Sequence, residues 1–438
     1  MFTHYIDLSW RSFKRTPMIS ALMVIAIAVG IGITMTSLSV YHMMAMNPIP
    51  HKSDKLLHPQ INTIDEDNDW NRTSDGMPEQ FTYMDAVNLY NAPVPSLKSP
   101  SFRSGFSVHM NSSDIKPFME QARLVYREFF DMFELDFIYG EPWTVAEQTD
   151  ASPVVIINET INERLFAGEN SVGKQIYLDN TSFRIVGVTR NWDHHIKYYD
   201  VNNGAFNDAE NLYIPFSLAP VMKIGTWGNT NGWKFEPSNG YQDLLNSERF
   251  WVQFWVQLEN EQEKQEYGEF LMAYMQDQQS KGRFNRETLT FKLRNVVEWL
   301  EYQEVVSEDN RILVGLSFMF LLVCVANILG LLLAKFLRRA PEVGVRRALG
   351  ASKTQVFYQH IVEVSMLGLL GGLLGIGVAQ LGLWGVRQTN NYYSGLATMD
   401  ITMLLSAPSI ALLASFIAGL YPAWLVCRTT PALYLKSQ

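Results

Sequence analysis

"FLRRAPEVGVRRALGASKTQVF", residues Phe336–Phe357, is the stretch on which the fold turns. With Lys335 just before it, the segment holds Arg338, Arg339, Arg346, Arg347 and Lys353, opposed only by Glu342. On both sides the sequence is almost purely apolar, over residues 312–334 before it and 361–386 after it. Each run reaches the roughly 20 residues that a helix needs to cross a bilayer. Two further runs of this kind occupy 18–43, "MISALMVIAIAVGIGITMTSLSVYHM", and 401–427. The chain therefore reads as a membrane protein with four transmembrane α-helices. The polar stretch 44–311 between the first two is long enough to bury a core of its own.

The first run is too long for the apolar region of a signal peptide and is not followed cleanly by a small-x-small cleavage site, so it reads as an uncleaved anchor. Orientation follows from Lys and Arg near the spans. Arg11, Lys14 and Arg15 precede the first span, the six cations fill the loop after the second, and Arg428 and Lys436 follow the fourth. The short loop 387–400 has only Arg387 and Asp400. Both termini and the cationic loop are expected in the cytoplasm, with 44–311 outside it. That segment holds 23 basic and 40 acidic residues, a net −17, which excludes a nucleic-acid partner. Cys324 and Cys427 both fall in or beside spans, so the outer domain holds together without disulfides.

Local pattern adds detail. Ile6, Trp10 and Phe13 share one face over residues 4–15, as in an amphipathic helix lying in the inner interface before Pro17. No Gly or Pro occurs from Arg283 to Val314, and the spacing of Val296, Trp299, Leu300, Tyr302 and Val306 predicts one helix running into the second span. In the third span Gly368 and Gly372 are four apart, as are Gly371 and Gly375, a spacing that lets helix backbones approach closely in lipid. The seam so formed is either intramolecular or between two chains. Pro408 is expected to kink the fourth span, with Pro422 and Pro431 marking its end.

In the cationic segment Pro341 suits a first helical turn with Glu342 at the positive end of the dipole, Gly350-Ala351-Ser352 reads as a break, and Ser352 as the cap of the next helix. The result is a short cytoplasmic helix with a cationic and an apolar side, able to lie in the groove of a partner. In the outer segment "PVVIIN" reads as a buried strand, "ETINERLF" as an amphipathic helix, and "KQIYL" and "FRIVGVT" as a hairpin about "DNTS".

"RRAPEVGVRRALGASKTQV" resembles the cytoplasmic coupling segment of MacB/FtsX-type ABC transporter permeases, and "GLYPAWLVCRTTPALYLK" (Gly419–Lys436) resembles the end of the same domain. "LSWRSFKRTPMISALMVIAIAVGIG" is similar to that family's N-terminus. "VYREFFDMFELDFIYGEPW" (Val125–Trp143) and "VVIINETINERLFAGENSVGKQIYLDNTSFRIVGVTRN" (Val154–Asn191) are similar to its periplasmic core domain. Segments 44–120, 192–290 and the residues after Asn390 match only loosely. The resemblance implies four spans plus a large α+β extracytoplasmic domain of two lobes between the first and second, here placed at 44–120 with 226–311 and at about 121–225. It implies an interfacial helix at 1–17, a coupling segment at 335–360 and a tail at 428–438. It assigns contact with a separate cytoplasmic ABC ATPase dimer to Arg338, Arg339, Glu342, Val343, Arg346, Arg347 and Leu349. ATP and Mg would sit on that ATPase, with no cofactor bound by this chain. A second permease chain, the same or a paralogue, and membrane lipids are the other implied partners, with a periplasmic adaptor a further one, at a bacterial inner membrane. "GASKT" lacks the spacing of a phosphate-binding loop, and none occurs elsewhere, so this chain is not expected to be an enzyme.

Other signals fall short. The run "DEDNDW" from Asp65 has Trp70 where a calcium loop needs Gly and Gly76 where it needs Glu. Asp193, His194 and His195 offer no further metal ligand at useful spacing. Asn71-Arg72-Thr73 is a chance glycosylation sequon. Trp227, Trp233, Trp251 and Trp255 line either a core or an apolar groove. The reading is the membrane subunit of an ATP-driven machine that extrudes peptides, amphiphiles or lipoproteins. The alternative is an FtsX-like mechanotransmitter that switches an external enzyme. A membrane-anchored sensor is disfavoured, since no cytoplasmic signalling domain is visible.

Overall fold

The computed structural model describes residues 2–68, 70, 72–111, 115–192, 194–237, 239–389, 399 and 401–428. The chain forms two compact units, one of residues 1–46 with 306–438 and one of residues 47–305.

The first unit is a helical bundle. Its elements are α1 (Phe2–Arg15), α2 (Pro17–Ala45), α3 (Glu308–Arg338), α4 (Ala340–Ala348), α5 (Lys353–Thr389) and α6 (Ile401–Arg428). Among the described residues α2, α3, α5 and α6 are the four helices long and apolar enough to cross a membrane. Met23, Ile27, Ile31, Ile328, Leu332, Val364, Leu367 and Ala411 pack along the bundle's interior. The glycine pairs of α5 divide between two neighbours. A methyl group on Gly371 would stand 2.5 Å from Cβ of Ile27, and one on Gly375 3.0 Å from Cβ of Ile31, both in α2. The equivalents on Gly368 and Gly372 would stand 2.9 Å from Cβ of Ser415 and of Ala411 in α6. The Thr34 hydroxyl donates to the Ser317 carbonyl of α3 at 3.1 Å, and Thr36 to that of Ala379 in α5 at 3.3 Å.

Two expectations change here. Pro422 does not end the fourth span: α6 runs through both Pro408 and Pro422 to Arg428, since ending a helix within lipid would strand far more backbone groups than the one bond each proline forgoes. Pro431 and the tail, like most of 387–400, lie outside the described residues. The long helix expected into the second span is broken. A helix Val296–Tyr302 ends, Glu304 takes φ +48°, and α3 begins after Ser307. Absence of Gly and Pro did not secure continuity: the backbone leaves the helical region at Glu304 and is extended at Ser307 before α3 starts.

Among the described residues the second unit is built on ten strands: β1 (Leu56–Ile61), β2 (Leu97–His109), β3 (Phe118–Val125), β4 (Phe137–Gly140), β5 (Val154–Asn158), β6 (Gln175–Leu178), β7 (Thr181–Thr189), β8 (Leu212–Pro215), β9 (Gln253–Gln257) and β10 (Phe291–Asn295). They make one mixed sheet, ordered β10-β1-β9-β2-β3-β8-β5-β7-β4, with β6 pairing β2 and β7. The strands expected in the first lobe occupy one half and those expected in the second lobe the other. The halves join without a gap through antiparallel pairing of β2 and β3, from Ser101 opposite Val125 to Val108 opposite Phe118. What reads as two lobes in the sequence is thus two halves of one sheet.

Strand alternation feeds both faces. Leu57, Leu124, Val155, Ile157 and Val256 enter one core, while Leu56, Val125, Val154, Ile156 and Trp255 enter the other. The expected hairpin is present, with Leu178 opposite Thr181 across a two-residue turn in which Asp179 has φ +50°. Asn158 caps the helix Glu159–Phe166 by accepting from the Ile161 amide.

Candidate functional site

The cationic segment folds as its residues dictate. Pro341 and Glu342 open α4, and Arg346 and Arg347 close it, each charge suited to its end of the helix dipole. Gly350 has φ +107°, a conformation that favours glycine, and ends the segment. The Ser352 hydroxyl accepts from the Gln355 amide at 3.1 Å, and the Ser352 amide donates to the Gln355 side chain at 3.0 Å, which starts α5.

Several of the predicted residues are tied to the bundle. Arg339 donates to the Ser12 hydroxyl at 2.5 Å and to the Ser12 carbonyl at 3.2 Å. Ser12 in turn donates to Glu363 of α5. Glu363 pairs with Lys335 at 2.7 Å, and neither side chain has exposed surface. Lys335 also donates to Ser20 of α2 at 3.1 Å. One ionic knot therefore joins α1, α2, α3 and α5. Glu342 binds Arg346 at 2.7 Å and Arg15 of α1 at 3.4 Å. Arg346 reaches Gln359 at 3.2 Å, Arg347 donates to the Cys427 carbonyl of α6 at 3.2 Å, and Val343 is buried. Arg338 is exposed, and so is Leu349, which keeps 83% of its surface.

The outward edge of α4 is thus apolar. Val345 is 49% exposed and lies one turn from Leu349. Sequence reasoning passed over Val345, although its spacing to Leu349 was readable. It also passed over Glu363 and Ser12, whose partners are far away in the chain.

A second buried network lies in the sheet domain. The Arg123 side chain of β3 donates to Glu210 at 2.9 and 2.7 Å, to Ser101 of β2 at 3.1 Å, and to Asp200. Lys197 pairs with Glu210 at 2.6 Å, and Gln253 of β9 donates to Asp200 at 3.0 Å. All four charged side chains are fully buried. Burial pushes the Glu210 carboxyl up, but Arg123 and Lys197 outweigh it and hold it well below the usual carboxylate range. The network links both halves of the sheet.

The signals set aside in the sequence find ordinary places. Asp65 and Glu66 accept from the Asn285 and Glu287 amides at 2.9 and 2.6 Å, fixing a loop, while Asp69 and Asn71 lie outside the described residues. His194 is 3.2 Å from the Tyr199 hydroxyl, and Asp193 is not described. No cluster of three or more His, Cys, Asp or Glu suited to a metal occurs among the described residues. Trp251 and Trp255 are core residues, whereas Trp227 is exposed.

The model of the MacB-like periplasmic core domain matches residues 20–268, and that of the FtsX-like permease C-terminal region matches 314–431. The chain is 22% identical to the uncharacterized ABC transporter permease YvrN of Bacillus subtilis over 315 residues, covering 69% of each. It is 24% identical over 301 residues to the pyoverdine export ATP-binding/permease protein PvdT of Pseudomonas aeruginosa, covering 68% of this chain and 39% of that one. With the macrolide export ATP-binding/permease protein MacB of Aggregatibacter actinomycetemcomitans it shares 24% over 250 residues, covering 57% of this chain and 33% of MacB. The chain spans less than half the length of these two export proteins. The crystal structure of the periplasmic region of MacB from Actinobacillus actinomycetemcomitans aligns with 57% of this chain and 94% of its own, at 16% identity and a TM-score of 0.36.

Proposed function

The chain belongs to the MacB/FtsX-type ABC transporter permeases, and from that premise we propose that it is the membrane subunit through which a separate ATPase moves the domain at 47–305. That work is export of peptides, amphiphiles or lipoproteins across the outer face of a bacterial inner membrane. The observation that carries this reading is the mounting of α4. Its arginines and Glu342 hold it to α1, α5 and α6, while Val345 and Leu349 face outward. A short helix fixed to several spans and presenting an apolar edge is suited to seat in a groove of a cytoplasmic motor and pass on its movement. The names of the pyoverdine and macrolide export relatives support the export role.

The test is co-purification of the native chain from its membrane with mass spectrometry of its companions. An ABC ATPase should accompany the wild-type chain and be lost from Val345→Asp/Leu349→Asp, with the bundle still inserted. A chain that carries no nucleotide-hydrolysing companion, or a variant that keeps one unchanged, refutes the reading.

A further inference from the structure

Beside the coupling helix lies a small open cavity of about 150 Å³. Arg11 and Arg15 of α1, Arg339 and Arg346 line it together with Ser12 and His360. Lys335 stands behind Ser12, through Glu363. Five cations thus meet three carboxylates: Asp7 on Arg11 at 2.9 Å, Glu342 between Arg15 and Arg346, and Glu363 on Lys335. The cluster carries a surplus of two positive charges. His360 is an independent pointer to a ligand. It is 2% exposed, and both its ring nitrogens lack a hydrogen-bond partner among the described residues, with Nδ1 3.9 Å from the Glu363 carboxylate. A buried unpaired imidazole beside several guanidinium groups fits a ligand with multiple acceptor oxygens and negative charge.

We propose that this cavity binds the headgroup phosphate of an anionic phospholipid of the cytoplasmic leaflet. Guanidinium forks match phosphate oxygens, and the His360 N–H supplies one further donor. The placement selects a lipid over a soluble anion. The cavity is lined by Arg339, which follows the end of α3, and by Gln359 and His360, in the turns of α5 just before its apolar run. On α1 itself, Trp10 is 50% and Ile6 38% exposed, while Ser9 and Ser12 are buried. Ile6 and Trp10 thus stand exposed among Arg11, Lys14 and Arg15, while Phe13 packs against the bundle, an arrangement suited to an interfacial helix whose Trp ring sits at headgroup level. A negatively charged leaflet adds to the attraction. One lipid would then add a second bridge between α1 and α4 beside the Arg15–Glu342 pair.

The full-length chain, purified in mild detergent, is analysed for retained lipid by native mass spectrometry and then titrated with vesicles of phosphatidylcholine alone or with phosphatidylglycerol. Phosphatidylglycerol should remain bound. Arg11→Ala/Arg15→Ala, which alters two exposed side chains, should retain it roughly tenfold more weakly. Arg11→Lys/Arg15→Lys, which keeps charge without the fork, should fall between. Gel filtration and circular dichroism confirm that each variant is folded. Equal retention of phosphatidylcholine, undiminished retention in the alanine variant, or displacement by millimolar inorganic phosphate each overturns the proposal. So does finding the cavity filled by an acidic segment of a partner protein in lipid-free complexes.

Discussion

Replacing Arg123 by methionine tests the buried network of the sheet domain most directly. In the native structure two cations, Arg123 and Lys197, balance two carboxylates, Asp200 and Glu210, all without exposed surface. Arg123→Met keeps the length of the side chain and removes one charge, leaving two buried carboxylates to share one ammonium group. Breaking a buried pair in this way costs about 3–5 kcal/mol, because the uncompensated charge stays in a poorly solvating interior. For a domain of this size each kcal/mol lowers the melting midpoint by roughly 2–4 °C, so the drop should be about 6–20 °C. The assay is differential scanning fluorimetry of the full chain in detergent, following the buried Trp251, Trp255 and Trp299. The double variant Arg123→Met/Glu210→Gln restores one cation to one carboxylate and should recover more than half of the loss. A single-variant shift below about 2 °C, which would be under 1 kcal/mol, refutes the reasoning. So does a double variant no more stable than the single one.

Three further outcomes follow from the geometry. Gly371→Val places branched bulk against Ile27 and should cut the yield of folded chain in gel filtration, whereas Gly377→Ala, with nothing within 4 Å, should not. His58 is buried and stacked on Trp299 at 3.7 Å, and burial lowers its pKa from 6.5 to about 3. Between those values the unfolded chain binds the extra proton, so stability should fall by about 1.4 kcal/mol per pH unit on acidification from pH 6.5 towards 3. His58→Phe should flatten that slope in urea titrations at pH 4, 5 and 6. Arg346→Glu breaks the Glu342 and Gln359 contacts and should abolish permease-stimulated ATPase activity while leaving membrane insertion intact; normal stimulation would remove the coupling role.

What was legible in the sequence followed from local chemistry. Four apolar runs announce four spans because hydrophobic length is a one-dimensional property. The Gly350 break and Ser352 cap, and the Asp179–Asn180 turn, are visible because such conformations demand particular residues at the site itself. The continuous sheet was not legible. The β2–β3 joint went unread because 44–120 carried no strand assignment, and within that half β1 pairs with β10 and β2 with β9, strands more than a hundred residues apart in which nothing names the partner. Glu304 at φ +48° broke an expected helix for a related reason, since glutamate is ordinarily a helix former. The site divided along the same line. Pro341, Glu342, Arg346 and Arg347 could be placed on one helix from spacing alone. Which of them face the bundle depended on Arg15, Gln359 and Cys427, carried by three other helices.

The two layers of charge at this end of the bundle do different work. Exposed cations such as Arg338 suffice as a topology signal, because the bias acts during insertion and needs no fixed geometry. Lys335 and Glu363 have no exposed surface, and burying such a pair carries a desolvation cost that a topology signal would not require. Position is what the pair supplies: through Ser12 and Arg339 it fixes where α3 hands over to α4. Lys335→Met alone strands Glu363 and should lower the amount of folded protein. Lys335→Met/Glu363→Met removes both charges and should restore the folded bundle, since apolar replacement of a whole buried pair is often neutral or stabilising. With Ser12 and Arg339 then released from the carboxylate, coupling to the ATPase should stay impaired despite normal folding. Full stimulation of ATPase activity by the double variant would show that the pair stabilises the bundle without positioning α4.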